Sequence, residues 1–282
     1  MLKRLLAYEW KDTWKLMTIL NCIVMGLTLA GSLFLLFTHL DLSEIFEQIG
    51  RSDLGILYFL SGMGFFMLYV GSIMVLTLGS MIFFFVRFYK NLYADQGYLM
   101  HTLPVGKHEL IWSKILVFIV WRVISLIVIC VSVSMLAYAG FGDGFTTVAA
   151  ETVKAFIDEV GGFRCGVYII ILILMFMAGV LYNIFTGYLS ISIGQLAHKN
   201  KVLASVGVYI GIIFVIRVLS SIFSNVFFVM EEFSEKSIIR NLLEYRDAPI
   251  MLCLVAMVIQ YVICAAMYFV IYSIMNKRLN LD

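Results

Sequence analysis

The chain has 282 residues, of which 62% are hydrophobic and only 13% charged, with a formal net charge of +2. A soluble domain of this size carries about a quarter of its residues as charges. So little polar surface excludes a water-soluble globular fold and makes lipid the solvent, in an all-α membrane protein.

The N-terminus opens with Lys3 and Arg4 before an apolar stretch, but Glu9, Lys11, Asp12 and Lys15 interrupt it and no early small-residue cleavage site follows. No cleavable leader is expected. Residues 1–15 read as an interfacial helix, with Leu2, Leu6, Trp10 and Met17 on one side and Arg4, Lys11 and Lys15 opposite. Glu9 breaks that pattern, and the alternative is that this stretch only begins the first span.

Six spans follow, at about 16–38, 54–86, 115–139, 167–197, 202–230 and 250–275. The first carries Asn21, Thr28 and Ser32 on one face, and the second carries Gly64, Gly71, Ser72, Gly79 and Ser80. As a helix the second run would reach roughly 50 Å, against about 30 Å of hydrocarbon, so it must tilt, break or extend through the headgroups. Its tail, Phe83 to Tyr93, interleaves aromatics with Arg87 and Lys90 and suits the last of these.

Basic residues set the orientation. Twelve lie in the N-terminal segment, the second and fourth loops and the C-terminal tail, and six lie in the other three loops. The richer side is expected to be cytoplasmic, placing both termini inside a cell membrane. The outer loops promise short amphipathic helices over 146–160 and 231–246; in the second, Glu232–Lys236 and Arg240–Glu244 stand at the four-residue spacing that supports a helix. With no strong repeat, linker or low-complexity tract, residues 1–282 read as a single transmembrane domain.

Several chemistries are not expected. Gly106-Lys107 is followed by His108, and His101 stands where the first glycine of a phosphate-binding loop belongs. His101 and His108 have Pro104 between them and no third ligand, so no metal site is predicted. Cys22, Cys130, Cys165, Cys253 and Cys264 show no paired spacing and read as small interior hydrophobes. No catalytic residue, cofactor site or nucleic-acid partner is expected.

The six runs hold no Asp or Glu, which argues against a carrier powered by protons or sodium. They do hold Arg122 and Arg217. Arg122 lies about 12 Å past Lys114 and can snorkel back to the surface. Arg217 is deeper, about 22 Å past Val202, and shares a face with Ser221, Ser224 and Asn225. That stripe, with Asn183 of the fourth run, is the candidate translocation cavity or subunit interface. Thr186, Gly187, Ser190 and Gly194 continue the fourth run's small, weakly polar face, which favours close helix packing.

Between the second and third runs lies a long polar segment, 91–114, much longer than a turn needs. Its stretch Gly97-Tyr98-Leu99-Met100-His101-Thr102-Leu103-Pro104-Val105, followed by Ser113-Lys114, resembles permease subunits of ABC-2-type ABC transporters. Tyr8-Glu9-Trp10-Lys11 is similar to the N-terminal helix of that family. The resemblance implies a six-span permease without its own nucleotide-binding domain, paired with a second copy or a sister permease and usually an exporter. It also implies a separate ATPase subunit, which would hold the ATP and Mg and take up a cytoplasmic coupling helix. Asp95 and Gln96 would start that helix, Tyr98, Leu99, Thr102 and Leu103 would present its docking knob, and Pro104 would end it. The other readings are a non-transport sensor or assembly protein using the same segment, and a secondary transporter.

Overall fold

A computed structural model describes residues 2–38, 53–94, 106–197, 199–233 and 248–277. Every regular element among them is helical. In order these are α1 (Leu2–Thr38), α2 (Asp53–Met74), a π-helical turn (Val75–Gly79), α3 (Ser80–Leu92), α4 (Lys107–Phe141), α5 (Asp143–Val160), α6 (Gly162–Gly194), α7 (Lys201–Phe233) and α8 (Ala248–Lys277). Among the described residues six segments are long and apolar enough to cross a membrane: Leu2–Leu36, Leu60–Leu92, Lys107–Phe141, Gly162–Gly194, Lys201–Ile222 and Cys253–Asn276. In lipid the backbone must satisfy its own hydrogen bonds, and helices do this without any partner strand.

Three boundaries differ from the sequence reading. The helix expected over 1–15 is not separate from the first span, because α1 runs unbroken from Leu2 to Thr38. Glu9, the residue that spoiled the amphipathic pattern, is buried. The long second run stays helical to Leu92, past its predicted end at about 86, and passes through the π-helical turn on the way. The third helix starts at Lys107, earlier than its apolar run, and Glu109 in its first turn suits the positive end of the helix dipole. Of the two outer helices expected, α5 covers 146–160; most of 231–246 lies outside the described residues. Gly161, at φ 89°, ends α5 in a conformation that favours glycine.

The chain forms two compact units. One comprises residues 2–84 and 116–165 and is called unit A here; the other comprises 85–115 and 166–282 and is called unit B. In unit A, Met17, Val24, Leu76 and Phe118 are fully buried. Trp10 stacks on Trp121 with ring centroids 4.7 Å apart, and the Trp121 indole donates to Thr13 Oγ1 at 3.2 Å. The predicted polar face of the first span is buried: Asn21, Thr28 and Ser32 all face protein. Ser132 of α4 joins three helices, meeting Thr28 Oγ1 at 2.7 Å and the Tyr69 hydroxyl at 2.6 Å. Such bonds hold apolar helices together where no hydrophobic effect can.

In unit B, Phe88 and Tyr188 stack at 3.6 Å between centroids, and both are buried with Leu92, Ile111, Ile184 and Met275. The small-residue face of α6 is buried at Thr186, Gly187, Ser190 and Gly194. A Cβ at Gly194 would stand 2.6 Å from the Ser205 backbone nitrogen, so α6 and α7 approach as closely as they do only with glycine there. The Tyr93 hydroxyl bonds Ser192 at 2.8 Å; burial pushes the Tyr93 phenol up to about 12, partly opposed by that bond. At the start of α4, Lys107 donates to the Met275 carbonyl at 3.0 Å, and His108 stacks on Tyr272 and bonds the Tyr268 hydroxyl.

Candidate functional site

Unit B holds a cleft of about 370 Å³ lined by α6, α7 and α8. Each helix offers one face to it. Helix α7 contributes Ile213, Ile216, Arg217 and Ser220, at the spacing that keeps residues on one side of a helix. Helix α8 contributes Ala256, Ile259, Gln260 and Ile263 with the same rhythm, and α6 contributes Tyr182 and Asn183. The walls are four isoleucines and Ala256, and the polar groups are one guanidinium, two amides, a hydroxyl and a phenol.

These groups lie well inside the helices. Asn183 is roughly 17 Å from the Gly194 end of α6, and Arg217 is roughly 24 Å from the Lys201 end of α7. Gln260 is roughly 26 Å from the Lys277 end of α8. A polar side chain at such depth is costly unless it meets protein, water or ligand. Asn183 donates its Nδ2 to the Gly179 carbonyl at 2.8 Å. Arg217 is exposed to the cleft, within electrostatic reach of the Tyr182 phenol. No described carboxylate pairs with Arg217, and none lines the cleft.

Of the sequence-predicted cavity residues, Arg217 and Asn183 therefore meet in one cleft, although they come from different helices. Ser221 and Asn225 stand beside it: Asn225 Nδ2 lies 3.4 Å from Ser221 Oγ, and neither residue lines the opening. Ser224 follows in the same helix. Three lining polar residues escaped the sequence reading. Ser220 sits one position short of the face drawn through Ser221, and Tyr182 precedes Asn183. Gln260 is an amide within the sixth apolar run, as legible a signal as Asn183. The docking candidates Asp95, Gln96, Tyr98, Leu99, Thr102, Leu103 and Pro104 lie outside the described residues. Beyond them, Ser113 and Lys114 are buried in the early turns of α4.

The second intramembrane arginine has a different setting. Arg122 does not reach back to the surface. Within unit A its Nη2 donates to the Thr77 carbonyl at 3.0 Å, and its guanidinium carbon sits 5.2 Å from the centre of the Phe118 ring. Thr77 belongs to the π-helical turn, where the wider winding disturbs the regular backbone ladder. Arg122 thus caps a local irregularity of the neighbouring helix.

No protein-family model, no curated protein and no solved structure matches the chain.

Proposed function

We propose that this multi-pass membrane protein is the permease subunit of an ATP-driven transporter of the ABC-2 type, working as an exporter in a cell membrane with both termini cytoplasmic. The observation that carries the proposal is the cleft of unit B. It places Arg217, Asn183 and Gln260 at mid-helix depth within an apolar wall, as a site for a partly polar cargo requires. The stretch from Gly97 to Val105 adds the family resemblance, and with it the energy source: a separate ATPase subunit that binds ATP and Mg. That ATPase would dock on the segment 91–114 and drive a pair of permeases, identical or sister chains.

The test is affinity purification of the tagged full chain from its native membrane, followed by reconstitution. A co-purifying ATPase with a phosphate-binding loop, and transport that requires ATP, are the expected results. Tyr98→Asp or Leu103→Asp should insert normally and still purify, yet lower the coupling of hydrolysis to transport at least tenfold. Wild-type transport from either variant would remove the docking role. Transport by the chain alone, driven by an ion gradient, would replace the proposal with a secondary carrier.

A further inference from the structure

We infer that the cleft of unit B takes an amphiphile with an anionic oxygen-rich head, a phosphate or carboxylate on an apolar stem. This inference rests on the reading of that cleft as the cargo site and names the chemistry of its cargo.

The charge selects the head. Arg217 is a permanent cation set deep in an apolar helix, and among the described residues no carboxylate neutralises it. A charge at membrane depth without a counter-ion is unfavourable, and a bound anion is the ligand that offsets this. A cationic head would meet repulsion in a medium of low dielectric. The guanidinium fork matches two oxygens of one phosphate or carboxylate, and the phenol of Tyr182, the hydroxyl of Ser220 and the amide of Gln260 can hydrogen-bond the remaining oxygens or hydroxyls.

The walls select the stem. Ile213, Ile216, Ile259 and Ile263 surround those polar groups, so whatever follows the head must be apolar. A free inorganic anion would leave this surface unused. The volume of about 370 Å³ lies at the small end of ordinary ligand sites, about 300–1,000 Å³, and suits a head with the first part of a chain. The cleft is partly open, so a longer tail can continue out of it.

The experiment uses the full chain in phosphatidylcholine nanodiscs and a photoactivatable alkyl phosphate carrying a diazirine on its chain. Labelled peptides are mapped by mass spectrometry. The expected result is saturable labelling of α7 and α8 around Arg217 and Gln260, displaced by unlabelled dodecyl phosphate but not by dodecyltrimethylammonium. Arg217→Gln should raise the half-saturating concentration at least about tenfold, as expected for losing a hydrogen bond to a charged group. Displacement by a low mole fraction of phosphatidylglycerol identifies the ligand as a bilayer lipid. Displacement only by single-chain phosphate identifies a free amphiphile, and either outcome supports the inference.

Equal competition by the cationic amphiphile, or labelling confined to other helices, overturns it. The charge series needs no variant, so a poorly folding Arg217→Gln does not rescue the idea. The two proposals also fail separately. Saturable phosphate binding with no ATPase partner keeps the anionic site and removes the permease reading. ATP-driven transport with no charge preference does the reverse.

Discussion

Two arginines lie in apolar helices of this chain, one in each compact unit, and their surroundings differ in every respect that matters. Arg122 in unit A is held: a carbonyl of the π-helical turn accepts its hydrogen bond at 3.0 Å, Phe118 covers its face, and Ser80, Phe84 and Trp121 lie around it. Arg217 in unit B stands at an opening, with neutral polar groups nearby and no described counter-ion. A charge with its partner built in stabilises one arrangement of helices. A charge facing a polar cleft keeps its interaction free for something else. Depth in the membrane therefore does not separate a charge that protein holds from one left at an opening; the neighbouring helix does.

Substitutions can break or sharpen that contrast. The largest effect on stability is expected from Arg122→Ala. It removes the bond to Thr77, the contact with Phe118 and the packing of the stem, partly offset by the loss of a charge from an apolar setting. The net should be a destabilisation of about 1–3 kcal/mol, read from unfolding in mixed micelles. If Arg122→Ala unfolds like the wild type, Arg122 is not the structural member of the pair.

A smaller loss is expected from Ser132→Ala, which cuts the hydrogen bonds to Thr28 and Tyr69 in unit A. Hydrogen bonds between helices in lipid average about 0.6 kcal/mol, so this substitution should cost about 1 kcal/mol by the same measurement. The smallest loss is assigned to Arg217→Gln: without ligand it should cost no stability, because it takes a charge with no described counter-ion out of an apolar helix. A loss as large as that of Arg122→Ala would mean that both arginines are structural, and the contrast between the units would be gone.

Much of the fold was legible before any coordinates. Runs of about 20 apolar residues place spans because each helix must cover the hydrocarbon thickness. Arg217 and Asn183 were legible too, since a strongly polar side chain in such a run must have a reason to be there. Gln260 carried the same signal. The docking role of Asp95 to Pro104 remains a reading of residues, resting on Tyr98, Leu103 and their neighbours. Other features had no local signature. Glu9 looked like a flaw in an amphipathic surface helix and proved buried, because periodicity describes a helix face without saying what covers it. The role of Arg122 was equally hidden, since nothing in Val75–Gly79 announces a π-helical turn.

A composition so apolar leaves the chain one solvent, and that solvent leaves the backbone one kind of structure, so helices and their approximate limits follow from the residues in order. Which faces meet does not follow from order. Arg122 finds a carbonyl 45 positions earlier in the chain, and Thr28 finds a serine 104 positions later. Those partners are chosen by close packing between helices, which depends on where small residues let backbones approach and therefore on the assembled units.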